Sequence, residues 1–306
     1  MDVNNYRRAA ANYAARAITL GGLDWREISW QLVKRIRAHD LPGRAAQLSY
    51  YFLLALFPLL IFVSAIVGRL FAQERDLYFH MVSYLQNVMP PSAFELLSST
   101  LREITQDAVG GKITFGLMVS LWIASSGMEA IIEGLNVAYD VPEARVWWRR
   151  RLVAIALTVC LGVLVAAAVF LILVSNGMAD ALGGYVPAFE QIGRLSTTVQ
   201  WGIGILFLIL ALSLVFRFAP NLKHPRWEAN LPGAIATVVF WLGASAILNF
   251  YLRTPGSFDR TYGSLGAVIV LLIWLYVSGA AVLVGGELNS MIWQAELRRR
   301  NSASKQ

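Results

Sequence analysis

Three carboxylates stand inside stretches that are otherwise almost wholly apolar: Glu129, Glu133 and Glu287. Glu129 and Glu133 are four residues apart, so on a helix they share one face, with Asn136 close to it. Glu287 and Asn289 follow Gly285-Gly286, and small residues of that kind let helices approach closely. Arg217 closes another apolar run, and Asn249 is a polar exception within a further one. A carboxylate in a partly dry setting can bind a proton as part of a transport cycle, so Glu129 and Glu287 are the candidate proton sites. It can also pair with a cation, and Arg217 is the expected partner of Glu133 or Glu287, because an unpaired charge at that depth is costly. Ser49, Tyr50 and Tyr51 fit a cavity lining and helix packing equally well.

Other chemistry finds little to work with. The histidines are His39, His80 and His224, in three separate segments, and a metal-dependent nuclease needs clustered ligands. His39-Asp40 is not a metal motif. No Walker sequence, nucleotide loop or nucleophilic triad occurs, so no catalytic residue, metal or cofactor is expected. Cys160 is the single cysteine and cannot form an intrachain disulfide.

The elements that must carry these groups are membrane spans. Of 306 residues, 57% are hydrophobic and 15% charged, against roughly 25% charged in soluble domains. The charges collect between apolar runs of about 20 residues, the length that crosses a hydrocarbon core. The expected fold is all-α and polytopic, with six spans at about 45–70, 113–139, 152–174, 198–216, 232–252 and 265–289. Pro58 should kink the first, and Pro232 suits the first turn of the fifth. Residues 1–44 form a cytoplasmic segment, polar and poorly ordered over 1–24. Its helix over 25–37 sets Trp25, Ile28, Leu32 and Ile36 on one stripe, with Arg26, Lys34, Arg35 and Arg37 off it. That pattern fits a helix lying in the membrane interface, or one packed on protein. Between the first two spans, amphipathic segments flank Pro90-Pro91, and Ser92 with Glu95 reads as a capping box. A helical hairpin on the outer surface is expected there, and a basic tail over 293–306.

Nineteen lysines and arginines fall on the side shared by both termini, against seven on the other. The richer side is cytoplasmic by the positive-inside rule, so the termini are expected in the cytoplasm of a bacterial inner membrane. The polar groups of the second, fourth and sixth spans then gather at the cytoplasmic ends as a hydrated mouth. Membrane lipids are the expected partners. Anionic headgroups would meet Arg149-Arg150-Arg151 and Arg298-Arg299-Arg300. The basic surface needs no nucleic acid to explain it, and homo-oligomers are common at this size, though no face is diagnostic.

Several stretches resemble the YihY/virulence factor BrkB family: AQLSYYFLLALFP from Ala46, GLNVAYDVPEAR from Gly134, FRFAPN from Phe216, LPGA from Leu231, YGSLGAV from Tyr262 and GGELN from Gly285. They cover roughly residues 25–295. The resemblance implies six spans in a bacterial inner membrane and marks Tyr50, Pro58, Asn136, Arg217, Pro220, Gly263, Glu287 and Asn289 as pattern residues, with roles it does not settle. Members have been labelled ribonuclease BN, which the scattered histidines argue against, and some are linked to envelope integrity and lipid export. Three functions follow: a transporter or flippase for a lipid or other amphipathic envelope component, a proton- or ion-coupled small-solute transporter, and a non-transporting envelope scaffold.

Overall fold

A computed structural model describes residues 25–71, 111–173, 197–222, 230–253 and 264–303. Among these residues all regular structure is α-helical. The helices are α1 (Trp25–Ala38), α2 (Leu41–Phe71), α3 (Gly111–Ala138), α4 (Trp147–Leu173), α5 (Thr197–Phe218), α6 (Leu231–Arg253) and α7 (Ser264–Ala303). Five contain a stretch long and apolar enough to cross a membrane: Met118–Ala138, Trp147–Ala168, Trp201–Phe218, Leu231–Tyr251 and Val268–Ala295. The 31 residues of α2, apolar over 53–67, give it the length of the expected first span. The chain is a multi-pass membrane protein. The outer hairpin with its capping box, the segment 1–24, His80, His224 and Gly263 lie outside the described residues.

Helix boundaries differ from the apolar runs where local chemistry extends the helix. Asp40 starts α2 four residues ahead of the apolar run, because its Oδ1 accepts from the Gly43 N–H, a donor the first turn leaves open. Pro58 lies inside α2, whose helix runs on to Phe71. The start of α4 takes in Arg149–Arg151, which the hydropathy placed before it. The last span does not end at Asn289. Good helix formers and no glycine or proline follow, and α7 continues to Ala303. At 1.5 Å per residue its 40 residues measure about 60 Å, twice a hydrocarbon core.

Two compact units divide the chain. The first holds Met1–Leu53, Glu129–Leu157 and Ile209–Gln306. Leu48, Ile132, Leu135, Tyr139, Phe216 and Leu283 are its fully buried large side chains. Glycine lets its helices close: Gly134 faces Leu283, Gly279 faces Leu48, and Gly286 faces Leu135. The second unit holds Leu54–Met128 and Thr158–Leu208. There Met118, Trp122, Val163, Val165, Trp201 and Leu206 are exposed, an apolar exterior suited to lipid.

Within the first unit α6 and α7 form an antiparallel pair joined at three levels. Trp241 Nε1 donates to Ser278 Oγ at 2.9 Å, and the Trp241 and Trp274 rings meet edge-on at 5.8 Å. One step along, Gly285 packs where any Cβ would strike Thr237 Oγ1 and the Gly233 carbonyl. At the end, Asn289 Oδ1 accepts from the Gly233 N–H at 2.7 Å and its Nδ2 donates to the Asn230 carbonyl at 3.0 Å. The last span thus supplies the N-terminal cap of α6 in trans, with Pro232 in the first turn.

Candidate functional site

The apolar stripe of α1 makes a protein contact. Ile28 is buried with Met291 and Ile292 of α7, and Leu32 and Leu288 pack against them. Outward, Trp30 is 66% exposed, with the Lys34 ammonium 5.3 Å from its ring centre. One turn beyond Leu32 the buried face turns polar. Arg35 and His39, four apart, continue the line set by Ile28 and Leu32 and deliver a cation and an imidazole to α7.

Glu287 receives them. Its side chain is 0% exposed, Arg35 Nε donates to Oε2 at 2.7 Å, and His39 Nδ1 lies 2.5 Å from Oε1. Arg35 spends every nitrogen. Nη1 donates to Gln294 Oε1 at 3.2 Å, and Nη2 donates to the Ala138 carbonyl at 2.9 Å, Asp140 Oδ2 at 2.9 Å and Ser290 Oγ at 3.1 Å. The other ring nitrogen of His39, Nε2, lies 3.3 Å from Asp140 Oδ1, and that carboxylate is 51% exposed. His39 therefore bridges a surface carboxylate and a buried one. Burial pushes the Asp140 carboxyl up, but the hydrogen bond from Gln294 and the Arg35 and His39 charges outweigh it and hold it below the usual carboxylate value.

Asp140 is placed by a helix ending. The Val141 N–H donates to the Asn136 carbonyl and the Asp140 N–H to the Val137 carbonyl, both at 3.0 Å, which is a Schellman closure of α3. Such a closure needs a left-handed residue, and Asp140 has a φ of 55°. Glycine is the residue this position prefers. An aspartate there carries strain and supplies a carboxylate that glycine lacks.

Asn136 starts a second network. Its Nδ2 donates to Glu143 Oε2 at 2.8 Å, and its Oδ1 accepts from the Asn221 N–H at 2.8 Å. Glu143 also binds Arg145, whose Nη2 donates to the Ala219 carbonyl at 2.7 Å. This network ties the turn after α3 to the end of α5. Burial again raises Glu143, but the side-chain and backbone donors of Arg145, the amide of Asn136 and the Arg145 charge hold it below the ordinary value.

Glu129 and Glu133 do share a face, and it meets the start of α4. Arg151 Nη1 donates to Glu129 Oε2. Arg150 Nη1 donates to Glu133 Oε1 at 3.1 Å, and its Nε is 3.6 Å from Glu129 Oε1. Three arginines oppose the positive end of the α4 dipole, and two carboxylates of α3 offset them. Arg150 and Arg151 are thus engaged by carboxylates of α3, while Arg149 lies over the Trp148 ring at 5.1 Å.

The expected pairing of Arg217 is corrected: Glu287 takes Arg35 and His39, Glu133 takes Arg150, and the Arg217 guanidinium lies 5.4 Å from the Phe218 ring centre. Asn249 sits 16 residues along α6 from Gly233, about 24 Å away, and does not join these groups. Tyr50 is exposed and meets Tyr51 edge-on at 5.7 Å, while Ser49 turns inward and donates to the Ala46 carbonyl. Sequence reasoning missed Arg35 and His39. Their signal was the spacing 28, 32, 35, 39, which extends the buried stripe into polar residues. Among the described residues no group of three histidine, cysteine or acidic side chains could hold a metal ion. The two nitrogens of His39 face away from each other, so its carboxylates do not converge.

The family described as Virulence factor BrkB matches residues 32–306. A Bacillus subtilis strain 168 protein named as ribonuclease-like, YfkH, is 32% identical over 262 residues, covering 86% of this chain and 94% of that protein. A membrane protein of Laribacter hongkongensis, named UPF0761, is 27% identical over 269 residues, 85% of this chain and 60% of the relative. A UPF0761 membrane protein of Neisseria meningitidis serogroup B is 26% identical over 282 residues, 90% of this chain and 66% of the relative. The chain thus spans nearly all of the first relative and about two thirds or less of the other two. No solved structure matches it.

Proposed function

The chain belongs to the virulence factor BrkB family, and on that premise we propose that it is a bacterial inner-membrane transporter or flippase for a lipid or other amphipathic envelope component. The polar mouth lies at the Glu287 end of the spans and opens to the cytoplasm. One observation carries this reading: a carboxylate with no exposed surface, Glu287, within the candidate span Val268–Ala295 and connected through His39 to a half-exposed one. Ionisable groups at such depth are costly and mark transport pathways. The apolar exterior of the helices gives acyl chains a lipid-like path while a headgroup meets the polar end. The basic residues of the same side, with Arg149 among them, gather anionic headgroups.

No enzymatic role enters this proposal. The ribonuclease-like name of the B. subtilis relative finds no support in clustered metal ligands among the described residues. A scaffold reading draws on the same contacts, since Arg35 and Glu287 staple α1 to α7. Proteoliposomes holding fluorescent phosphatidylglycerol or phosphatidylethanolamine separate the two. Transport predicts that wild-type protein equilibrates the label between leaflets and that Glu287→Gln abolishes this while the protein stays folded. Leaflet exchange equal to protein-free vesicles for both lipids would sink the lipid reading.

A further inference from the structure

Glu287 has no exposed surface, so a proton can reach it only through a neighbouring group. Among the described residues, four elements bring charged or titratable groups to His39. Arg35, one turn earlier on α1, lies against the same Glu287. From α2, Arg44 Nε donates to the His39 carbonyl at 3.0 Å, and Asp40 follows directly in the chain, its Oδ1 held by the Gly43 N–H. Asp140 comes from the turn after α3 and Glu287 from α7. Only the last two meet ring nitrogens, one on each side of the imidazole.

We infer that Asp140, His39 and Glu287 form a proton relay, with Asp140 as the entry, His39 as the carrier and Glu287 as the buried proton-binding site. A proton on Asp140 Oδ1 passes to His39 Nε2 while the Nδ1 proton passes to Glu287 Oε1. The imidazole ends neutral with its proton on the opposite nitrogen, and only N–H and O–H bonds are made or broken. Reversal resets the ring. Neutralising Glu287 removes the charge that Arg35 Nε meets, so protonation loosens the hold of α7 on α1. The relay rests on the transport reading for its purpose, where it supplies energy coupling, and on the geometry for its existence. The strained left-handed Asp140 fits this role, since glycine would satisfy the backbone there and leave no entry group.

The test is time-resolved infrared spectroscopy on the full chain in lipid nanodiscs after an acid jump. Wild type shows a protonated-carboxyl band that Glu287→Gln lacks. Asp140→Asn and His39→Ala delay that band at least about tenfold, and imidazole in the buffer restores the rate of His39→Ala, which a merely structural role would not. A band retained in Glu287→Gln, or wild-type rates in both relay variants, overturns the relay. Should Glu287→Gln not fold, the two rate variants and the imidazole rescue decide alone. The leaflet assay runs beside it. Lipid movement without Glu287 protonation leaves transport standing and removes the relay, and a working relay without movement of either lipid does the reverse.

Discussion

Two sets of glutamate–arginine pairs hold the first unit together, and they differ in almost every respect. Glu129 and Glu133 pair with Arg150 and Arg151, about 20 residues away, between the last turns of α3 and the start of α4. Glu133 is 46% exposed. Glu287 pairs with Arg35 across 252 residues and has no exposure. The near set balances a helix dipole and a local excess of arginine. The distant set buries a charge that must be fully compensated, and it recruits an imidazole as well. A glutamate in an apolar run is therefore no single kind of feature, and what separates the two kinds is who pairs with it and how dry the pairing is.

Removing a partner is the sharpest way to break that comparison. Glu287→Ala leaves Arg35 partly buried without its carboxylate, and loss of a buried partner costs about 3–5 kcal/mol. Thermal unfolding in mild detergent checks this, and an effect no larger than that of Glu133→Gln would erase the distinction. The packing beneath comes next. Gly285→Ala drives a Cβ into Thr237 and the Gly233 backbone, and overpacking costs about 1–3 kcal/mol. Gly243→Ala meets open space and should be neutral or slightly stabilising in the same assay.

Acid probes the turn that serves the distant set. Asp140 and Glu143 are both held below their ordinary values of 3.8 and 4.5. A depressed carboxylate contributes stability that is present above the unfolded value and lost as pH falls through the folded one. Stability should thus fall off on the acid side of those values, and Glu143→Gln should flatten that limb in unfolding curves recorded against pH. The smallest effect belongs to the near set: Glu133→Gln should cost about 1 kcal/mol or less and shrink further in high salt. A salt-insensitive loss would mean that this pair is drier than its exposure indicates.

Much of this was legible in the residues. Apolar runs of spanning length announced the helices, because lipid forbids exposed backbone and charge alike. Glu287, Asn289 and Asn136 stood out as polar groups in apolar surroundings, and each proves to be buried and bonded across helices. The partners were not legible. Nothing local ties Arg35 to a carboxylate 252 residues on, so similar depth at the ends of the spans suggested Arg217 instead. The stripe of α1 left two readings open, because an apolar face has the same spacing whether it meets lipid or Met291 and Ile292. Asp140 hid because an aspartate after a helix reads as an ordinary turn, and only its left-handed backbone marks it out.

The pairing of Arg35 with Glu287 also orders the life of the chain. Arg35 leaves the ribosome 252 residues ahead of Glu287, so every intervening span enters the membrane before the pair can form. Until then Arg35 must keep its charge in water or among headgroups, and the Gly233 amide that Asn289 caps must bind water as well. Entry of the final helix closes both contacts together. The two contacts therefore form in a single locking step, and a chain truncated before Glu287 would lack the lock.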